Sequence, residues 1–401
     1  MKVAVVGGGA AGFFAAISIK QHHSKAEVHI LEKSQEVLSK VKISGGGRCN
    51  VTHQCNRISE MVKHYPRGSK LLKKVFGSFF TTDTLAFFES RGVAIKAEAD
   101  GRMFPVTDQS QSIIDCLMNE TKSLGIEILY KQRVKSIASH SNRVELDVNG
   151  SCQNYDKVIL ATGGVPNIKG FQWLDNLKLN IVSPVPSLFT FNLTKNPITE
   201  LQGVSLERVL VELEGAKWKA EGPILITHWG FSGPAVLRLS AFAAEWLHGK
   251  NYEYVVKVNW WNQANEEVVR SEVKALLNAS PKRKLANLSP PQIPSRLWVF
   301  LLHKAEIKQD ARSVDLSKKH FNKLINVLTN DAYPAKGKTT FKEEFVTCGG
   351  VDLSEIKADS MALKSNPNIY LAGELLNVDG VTGGFNFQAA WSTGYLAGKL
   401  L

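Results

Sequence analysis

Gly7, Gly9 and Gly12 in VAVVGGGAAG stand in G-x-G-x-x-G spacing, directly after an apolar run and ahead of a helical pattern. That spacing suits the chemistry of a diphosphate. The first glycine permits a sharp turn, the second lets main chain approach the anion, and the third lets helix pack on strand. The helix start then offers unpaired N–H groups to the negative charge. Glu32, twenty residues beyond Gly12 at the end of the next apolar run, is placed to accept hydrogen bonds from ribose hydroxyls and to repel a 2′-phosphate. Together these residues point to a bound dinucleotide, against the plainer reading of a glycine-rich turn without a ligand.

The choice of dinucleotide comes from the other end of the chain. NIYLAGELLNVDGVTGGFNFQAAWSTGYLAG reads as a strand, then Gly373-Glu374, a loop with Gly380, Gly383 and Gly384, and a helix from about Asn386 to Leu401. FAD proteins close their fold in this way. The acid can bind the ribityl chain, and the helix dipole can face the flavin pyrimidine edge, where negative charge develops on reduction. VILATGG (Val158 to Gly164) reads as the strand that returns the chain beside the cofactor. No second G-x-G-x-x-G in strand and helix context follows it. A dedicated NAD(P)H domain is therefore not expected, and NAD(P)H, if used, serves as a transient electron donor sharing the substrate cleft.

Other candidates divide between chemistry and packing. Arg48, in a glycine-rich loop, could pair with a cofactor phosphate or a substrate carboxylate, or simply brace the loop. Cys49 has no C-x-x-C partner and reads as packing. His228 ends a probable strand in ITHWGFSGP and could lie on a face that closes over the flavin, although a satisfied structural histidine is the commoner case. Ser232 lacks the G-x-S-x-G context of an acyl-transfer nucleophile. No metal site is expected, since the five cysteines are scattered and odd in number.

These residues need elements to hold them. A composition of 44% hydrophobic and 21% charged residues excludes a disordered or low-complexity chain, and 401 residues allow two or three domains. The start reads strand, turn, helix, strand: Val3–Val6, Gly7–Gly12, Phe13–Lys20 and Glu27–Leu31. Helical spacing recurs over Ser69–Arg91 and Asp108–Leu124, with Asp108 and Ser110 as candidate N-caps and Gly125 as the stop. The period then changes to two from Ile126 to Leu160, with Asn149-Gly150 as a hairpin turn. Prolines break the pattern beyond Gly164, Phe189–Asn259 alternates like antiparallel strands, and Glu266–Leu328 is helical and basic. From Phe345 glycine-rich strand and turn character returns. The expected organisation is an α/β, doubly wound FAD-binding domain from residues 1–185 and 345–401, interrupted by a β domain (186–265) and a small helical part (266–344).

SGGGRCNVT in the run Lys40–Thr52, RMFP (102–105), ATGG (161–164), ITHWGFSGPAVLRLS (226–240), CGGV (348–351) and GELLNVDGVTGGFNFQAAWSTG (373–394) carry a resemblance to one bacterial family. It is the family of FAD-dependent oxidoreductases that includes aminoacetone oxidase and the bile-acid dehydro-reductase-like flavoproteins. The resemblance spans essentially the whole chain, and it implies a Rossmann-like domain with a β-barrel-like and helical insert, binding FAD non-covalently. It assigns Gly7, Gly9, Ala10, Ala11 and Gly12 to the diphosphate and Glu32, with Lys33 beside it, to the ribose. Lys40, Ser44 and Gly46 would line the cofactor, Val134 would contact adenine through main chain, and Thr162 and Gly163 would close over it. Gly373, Glu374, Gly384, Asn386 and Phe387 would reach the ribityl and flavin. Arg48, His228 and Asn386 are the candidate catalytic groups. Two departures stand out: the segment after ATGG is compact, and Asn377 replaces the acid of the family's G-E-x-L-D.

The expected function is hydride transfer between flavin and a small, anionic organic substrate in the cytosol, without export or membrane insertion. The alternatives are an RNA-acting flavoprotein and a flavin-dependent sensor without turnover. A net charge of +12 favours anionic partners without choosing among them. The basic residues Lys282, Arg283, Lys284, Lys318, Lys319, Lys336 and Lys338, within the range ending at Lys342, lack the aromatic interleaving of a stacking platform, so nucleic acid is the less expected partner.

Overall fold

Five short apolar runs line up as one parallel sheet in the computed structural model, which describes residues 1–140, 142–339 and 346–401. Lys2–Val6 is central, flanked by Lys157–Leu160 and Ile369–Leu371 on one side and by Glu27–Leu31 and Glu127–Leu129 on the other. Val3, Ala4 and Val5 are fully buried, as expected of a parallel strand covered on both faces. From this strand the chain runs one way through the first helix, Ala10–His22, to Glu27–Leu31, and later the other way to Lys157–Leu160. A crevice therefore opens beyond the carboxyl end of the central strand, where such folds bind ligands.

The register makes this concrete. Val6 lies opposite both Leu31 and Leu160, and Leu160 lies opposite Leu371. The residues that follow, Gly7, Glu32, Ala161 and Ala372, form a row along one sheet edge. Segments more than 300 residues apart in sequence thus open onto the same crevice.

The last helix, Phe385–Gly398, packs against the first. The contact is close because it is made through glycine. A Cβ on Gly394 would lie 2.4 Å from the Ala11 carbonyl oxygen, and one on Gly398 would lie 2.5 Å from that of Ala15. The Ser18 hydroxyl donates to the Tyr395 carbonyl at 2.7 Å, while Phe14 packs on Trp391 and Phe87, each with ring centroids 4.6 Å away.

Several local expectations need correction. Ser69–Arg91 is two helices, Ser69–Val75 and Thr81–Glu89. The second starts afresh because the Asp83 carboxylate accepts the Phe80 N–H at 2.7 Å. Asp108 is no N-cap: it adopts φ +53° and its carboxylate is drawn to Lys96 and Arg48. Ser110 begins the next helix, Ser110–Ser123, but its hydroxyl donates to the Lys42 carbonyl at 2.7 Å. In the alternating stretch, only Val134–Ser139, Val144–Val148 and Ser151–Tyr155 form an antiparallel meander, while the flanking runs join the parallel sheet. Asn149 and Gly150 both have positive φ, 56° and 95°, as a type I′ hairpin turn requires.

The chain divides into two compact units, one built from Met1–Ser187 with the C-terminal segment, the other beginning at Leu188. The second unit carries a seven-stranded sheet, all of whose described pairings are antiparallel. Helices Glu266–Ala279, Ser295–Lys304 and Lys318–Thr329 share its hydrophobic core, in which Phe231, Trp260 and Trp298 are fully buried. Helices Pro234–Phe242 and Ala244–Gly249 interrupt the stretch expected to be strands only; Pro234 starts the first, following Gly233 at φ +98°. The boundary expected between residues 344 and 345, and Lys342, lie outside the described residues. No described helix is long and apolar enough to cross a membrane.

The helix contact yields a prediction. Gly394→Ala forces main chain apart, so it should lower stability by about 1–3 kcal/mol. Gly249→Ala, whose Cβ meets nothing within 4 Å, should leave thermal unfolding unchanged. Equal melting temperatures for both variants would contradict the packing described.

Candidate functional site

The three motif glycines do different work. Gly7, at φ +106°, has no room for a side chain, since a Cβ there would lie 2.7 Å from the Ala161 carbonyl oxygen. A Cβ on Gly12 would lie 2.0 Å from the Gly7 carbonyl oxygen, but one on Gly9 would meet nothing within 4 Å. Two glycines thus bring helix and strands together, and the third leaves open space at the helix mouth. Gly9 caps the helix without a side-chain bond, and the N–H groups of Ala10, Ala11 and Gly12 lie in a first turn that has no acceptors of its own for them. Open space, free donors and a positive dipole end fit a diphosphate. Glu32 is fixed at the same edge, accepting the N–H groups of Gly8 and Ser34, each at 2.8 Å. Lys33 beside it is exposed, and the adjoining segment donates from Gln132 N–H to the Glu32 carbonyl at 2.8 Å, two residues before Val134.

The SGGG loop sits on this edge through the Leu38 N–H, which donates to the Gly8 carbonyl at 2.8 Å. Gly45, Gly46 and Gly47 have φ of 58°, 69° and 86°, three successive left-handed positions that only glycine occupies cheaply. A Cβ on Gly46 or Gly47 would meet nothing within 4 Å, so this stretch also presents bare main chain. The Ser44 hydroxyl is turned inward to the Val41 carbonyl at 2.9 Å. Arg48 lies over the Phe104 ring at 3.9 Å, donates to Glu98 at 2.7 Å and pairs with Asp108 at 3.5 Å. The structure therefore commits it to bracing the loop, and these carboxylates hold its guanidinium further toward the charged form. Cys49 is fully buried at φ +61°, and burial pushes its thiol up to about 12. It is a packing residue with no thiolate to offer.

The C-terminal segment completes the crevice. Ala372 N–H donates to the Leu160 carbonyl at 3.0 Å, and Gly373, at φ +71°, faces Ala11 so closely that a Cβ would come within 2.8 Å of its methyl. Lys40 reaches the Glu374 carboxylate at 2.7 Å, and the other oxygen of Glu374 accepts the Thr347 N–H at 2.8 Å. Three segments of the chain thereby share one carboxylate. The segment after the SGGG loop is locked to the last helix: Thr52 donates to Gln388 at 2.6 Å, the Trp391 indole donates to the Val51 carbonyl at 2.9 Å, and a Cβ on Gly384 would lie 2.4 Å from the Thr52 carbonyl oxygen. Asn386 is engaged locally, accepting from the Gly380 N–H and donating to its carbonyl at 2.8 and 2.9 Å. Its carboxamide pins the loop that precedes the helix. Phe387 is half-buried and stacks on Trp391 at 5.5 Å.

Two groups beside this loop escaped sequence reasoning. Asp379 is fully buried, bidentate with Arg67, and accepts the Ser187 hydroxyl at 2.8 Å. Burial raises its carboxyl above the ordinary carboxylate value, and Arg67 opposes that rise. His53 and His64 both stack on the Phe385 ring, with centroids 4.6 and 4.3 Å away, and their own centroids lie 5.9 Å apart; His53 Nδ1 is 3.1 Å from the Gly383 carbonyl oxygen. Burial lowers the His53 imidazole below 6.5. No sequence spacing links residue 67 to 379 or 53 to 385; only the fold pairs them. Thr162 and Gly163 follow the strand Lys157–Leu160, Thr162 exposed and Gly163 at φ +77°. Asn377, at the family's acidic position, accepts the Gly349 N–H at 3.1 Å. His228 belongs to the second unit, where it is exposed with its ring 4.3 Å from that of Trp229.

Comparison with known proteins bears on this geometry. The family described as HI0933-like protein Rossmann domain matches residues 1–400. The chain is 28% identical over 406 aligned positions to a 3-dehydro-bile acid delta(4,6)-reductase of Clostridium scindens, covering 99% of this chain and 98% of the relative. It is 29% identical to a ribosomal RNA dihydrouridine synthase of Escherichia coli, covering 98% and 95%. Among solved structures, a 3-ketosteroid-delta4-(5alpha)-dehydrogenase from Rhodococcus jostii RHA1 matches at a TM-score of 0.50 and 14% identity, over 99% of this chain and 96% of that one. That likeness establishes the shared fold.

Two predictions follow from the site. Gly9→Ala should fold as well as the wild type but bind FAD at least about tenfold more weakly, a loss of about 1.4 kcal/mol, whereas Gly12→Ala should lose stability before any ligand is added. Flavin fluorescence titration and thermal unfolding separate the two. Because the folded-state pKa of His53 is depressed, its contribution to stability is present above 6.5 and is lost as pH falls through the lower folded value. His53→Gln should therefore show a shallower fall in melting temperature between about pH 7 and pH 5; an unchanged slope would contradict this assignment.

Proposed function

This chain belongs to the HI0933-like Rossmann-domain family and is an FAD-dependent oxidoreductase, and from that premise we propose that it reduces a carbon–carbon double bond conjugated to a carbonyl. The observation that carries the reading is a shared transformation. The full-length relatives are named for a reductase of 3-dehydro bile acids at positions 4 and 6 and for a synthase of dihydrouridine. Both names describe the saturation of a double bond in conjugation with a carbonyl group.

Reduced FAD supplies the hydride for such a step. The chain's own residues hold and orient. The N–H groups of Ala10, Ala11 and Gly12 would receive the diphosphate, Glu32 the adenosine ribose, and Lys40 with Glu374 the ribityl region. The first turn of the helix Phe385–Gly398 would set its dipole against the flavin edge that gains negative charge. The glycine main chain at Gly46, Gly47 and Gly383 would let the ring system approach without side-chain obstruction. Electron balance requires two electrons and one proton from NADH or NADPH, or an equivalent hydride donor, and one further proton from solvent. The hydride goes to the carbon β to the carbonyl and the proton to the carbon α to it. The setting proposed is the cytosol.

Two substrate classes fit this transformation. A small oxo-steroid-like molecule agrees with the bile-acid relative. A uridine within ribosomal RNA agrees with the dihydrouridine synthase relative and with the net charge of +12. Purified protein should be yellow, absorbing near ~450 nm from bound flavin, and NADH or NADPH should bleach it without oxygen. Protein-free ribosomal RNA or 4-androstene-3,17-dione should then restore the colour over repeated turnovers. Protein that takes up no FAD would contradict the reading, and so would reduced flavin that neither acceptor re-oxidises; the latter outcome would leave a flavin-dependent sensor.

A further inference from the structure

Half of the chain's net charge is concentrated in a tenth of its length. Between residues 281 and 319 nine Lys and Arg stand against three Asp and Glu, an excess of +6 out of +12. The fold gathers these charges further. Two loops of the second unit are laced together by main chain: Leu285 N–H donates to the Ala311 carbonyl at 2.8 Å, Val314 N–H donates to the Pro281 carbonyl at 3.1 Å, and Lys284 bridges Arg312 in antiparallel fashion. Lys282, Arg283 and Lys284 therefore lie beside Lys308 and Arg312, and all five are exposed.

On an ordinary solvated face interspersed acids pair with such cations, but Asp310 and Asp315, exposed in the same loops, pair with none of these five among the described residues. Here none of the five joins an ion pair among the described residues, while neighbouring Lys304 and Lys323 are paired with Asp331 and Glu306. Lys318 and Lys319 extend the excess. They open the helix Lys318–Thr329, whose first turn carries no acid, so they add to the positive end of its dipole instead of offsetting it. That arrangement costs stability in the free protein and is relieved when a polyanion arrives.

The patch also says which polyanion. Its exposed large apolar side chain is Val314 alone, and its tryptophan, Trp298, is fully buried. It offers neither the aromatic platform that stacks single-stranded bases nor the apolar wedge that enters a lipid surface. What remains is a cluster of cations held on a main-chain scaffold, suited to the phosphates of a folded, largely double-helical RNA read by shape. We propose that the surface formed by residues 282–284, 308, 312 and 318–319 docks the sugar–phosphate backbone of structured ribosomal RNA, an inference that rests on reading the substrate as a uridine of that RNA.

The test uses full-length, FAD-loaded protein and protein-free Escherichia coli ribosomal RNA, with binding followed by filter retention across a salt series. One variant combines Lys282→Gln, Arg283→Gln, Lys284→Gln and Arg312→Gln. A control combines Lys70→Gln, Lys73→Gln, Lys74→Gln and Lys122→Gln, exposed lysines of the first unit that remove the same total charge. The patch variant should bind at least ~30-fold more weakly at moderate salt and lose about one unit of log–log salt slope per removed contact, while the control stays within about threefold of wild type. Equal losses in the two variants would overturn the assignment, as would wild-type protein that binds no ribosomal RNA at low salt. Binding to phosphatidylserine vesicles in place of RNA would overturn it too. Turnover is scored separately: RNA that binds through the patch but is never reduced removes the uridine reading and leaves the surface standing, whereas RNA that is reduced equally by both variants removes the surface and leaves the reading.

Discussion

The close approach of the first and last helices is the constraint on which the cofactor crevice depends. It works only because Gly394 and Gly398 expose bare main chain to the carbonyls of Ala11 and Ala15. With that contact made, Gly373 falls against Ala11, and the strand Ile369–Leu371 completes the parallel sheet beside Lys157–Leu160. The row Gly7, Glu32, Ala161 and Ala372 then becomes a single edge. Each side chain removed by a glycine here is surface that a ligand or a neighbouring helix occupies instead.

Charge organises what the helices bring together. Lys40 and Thr347 meet on the Glu374 carboxylate, so the early loop, a late strand and the segment after the last strand are held by one acid. Asp379 does the same deeper in the fold, taking bonds from Arg67 and Ser187. A buried carboxylate with a bidentate guanidinium partner fixes geometry strongly, because removing either partner strands a charge in a low-dielectric interior. The loop that Asn386 pins to Gly380 follows Asp379 directly, so it is held by that buried carboxylate at its start and by the Asn386 carboxamide at its end. The exposed cations Lys282, Arg283, Lys284, Lys308 and Arg312 are organised on the opposite principle, since none of them joins an ion pair among the described residues.

Much of the geometry of the crevice edge was legible in the sequence because its signals are local. A glycine spacing, an acid at the end of the next strand and a glycine pair ahead of a helix are written in consecutive residues, and the parallel sheet follows from short apolar runs buried on both faces. The meander was legible through its Asn149-Gly150 turn, although periodicity alone could not separate its strands from the flanking parallel ones. Arg48 was less legible: its type suggested an anion partner, but Glu98 and Asp108, fifty and sixty residues away, claim it. Asp379 with Arg67, and His53 with Phe385, were illegible for the same reason, since tertiary pairing leaves no trace in spacing. The split of Ser69–Arg91 turned on one cap, Asp83 on Phe80, which a helical period overrides on paper but not in space.

The central claim is that both ends of the chain grip one FAD. Hydrogen–deuterium exchange with and without FAD measures it directly. The amides of Gly9–Phe13, Gly45–Gly47 and Gly383–Phe387 should gain protection together, at the same FAD concentration. Protection confined to the N-terminal turn, with Gly383–Phe387 exchanging as before, would contradict the account.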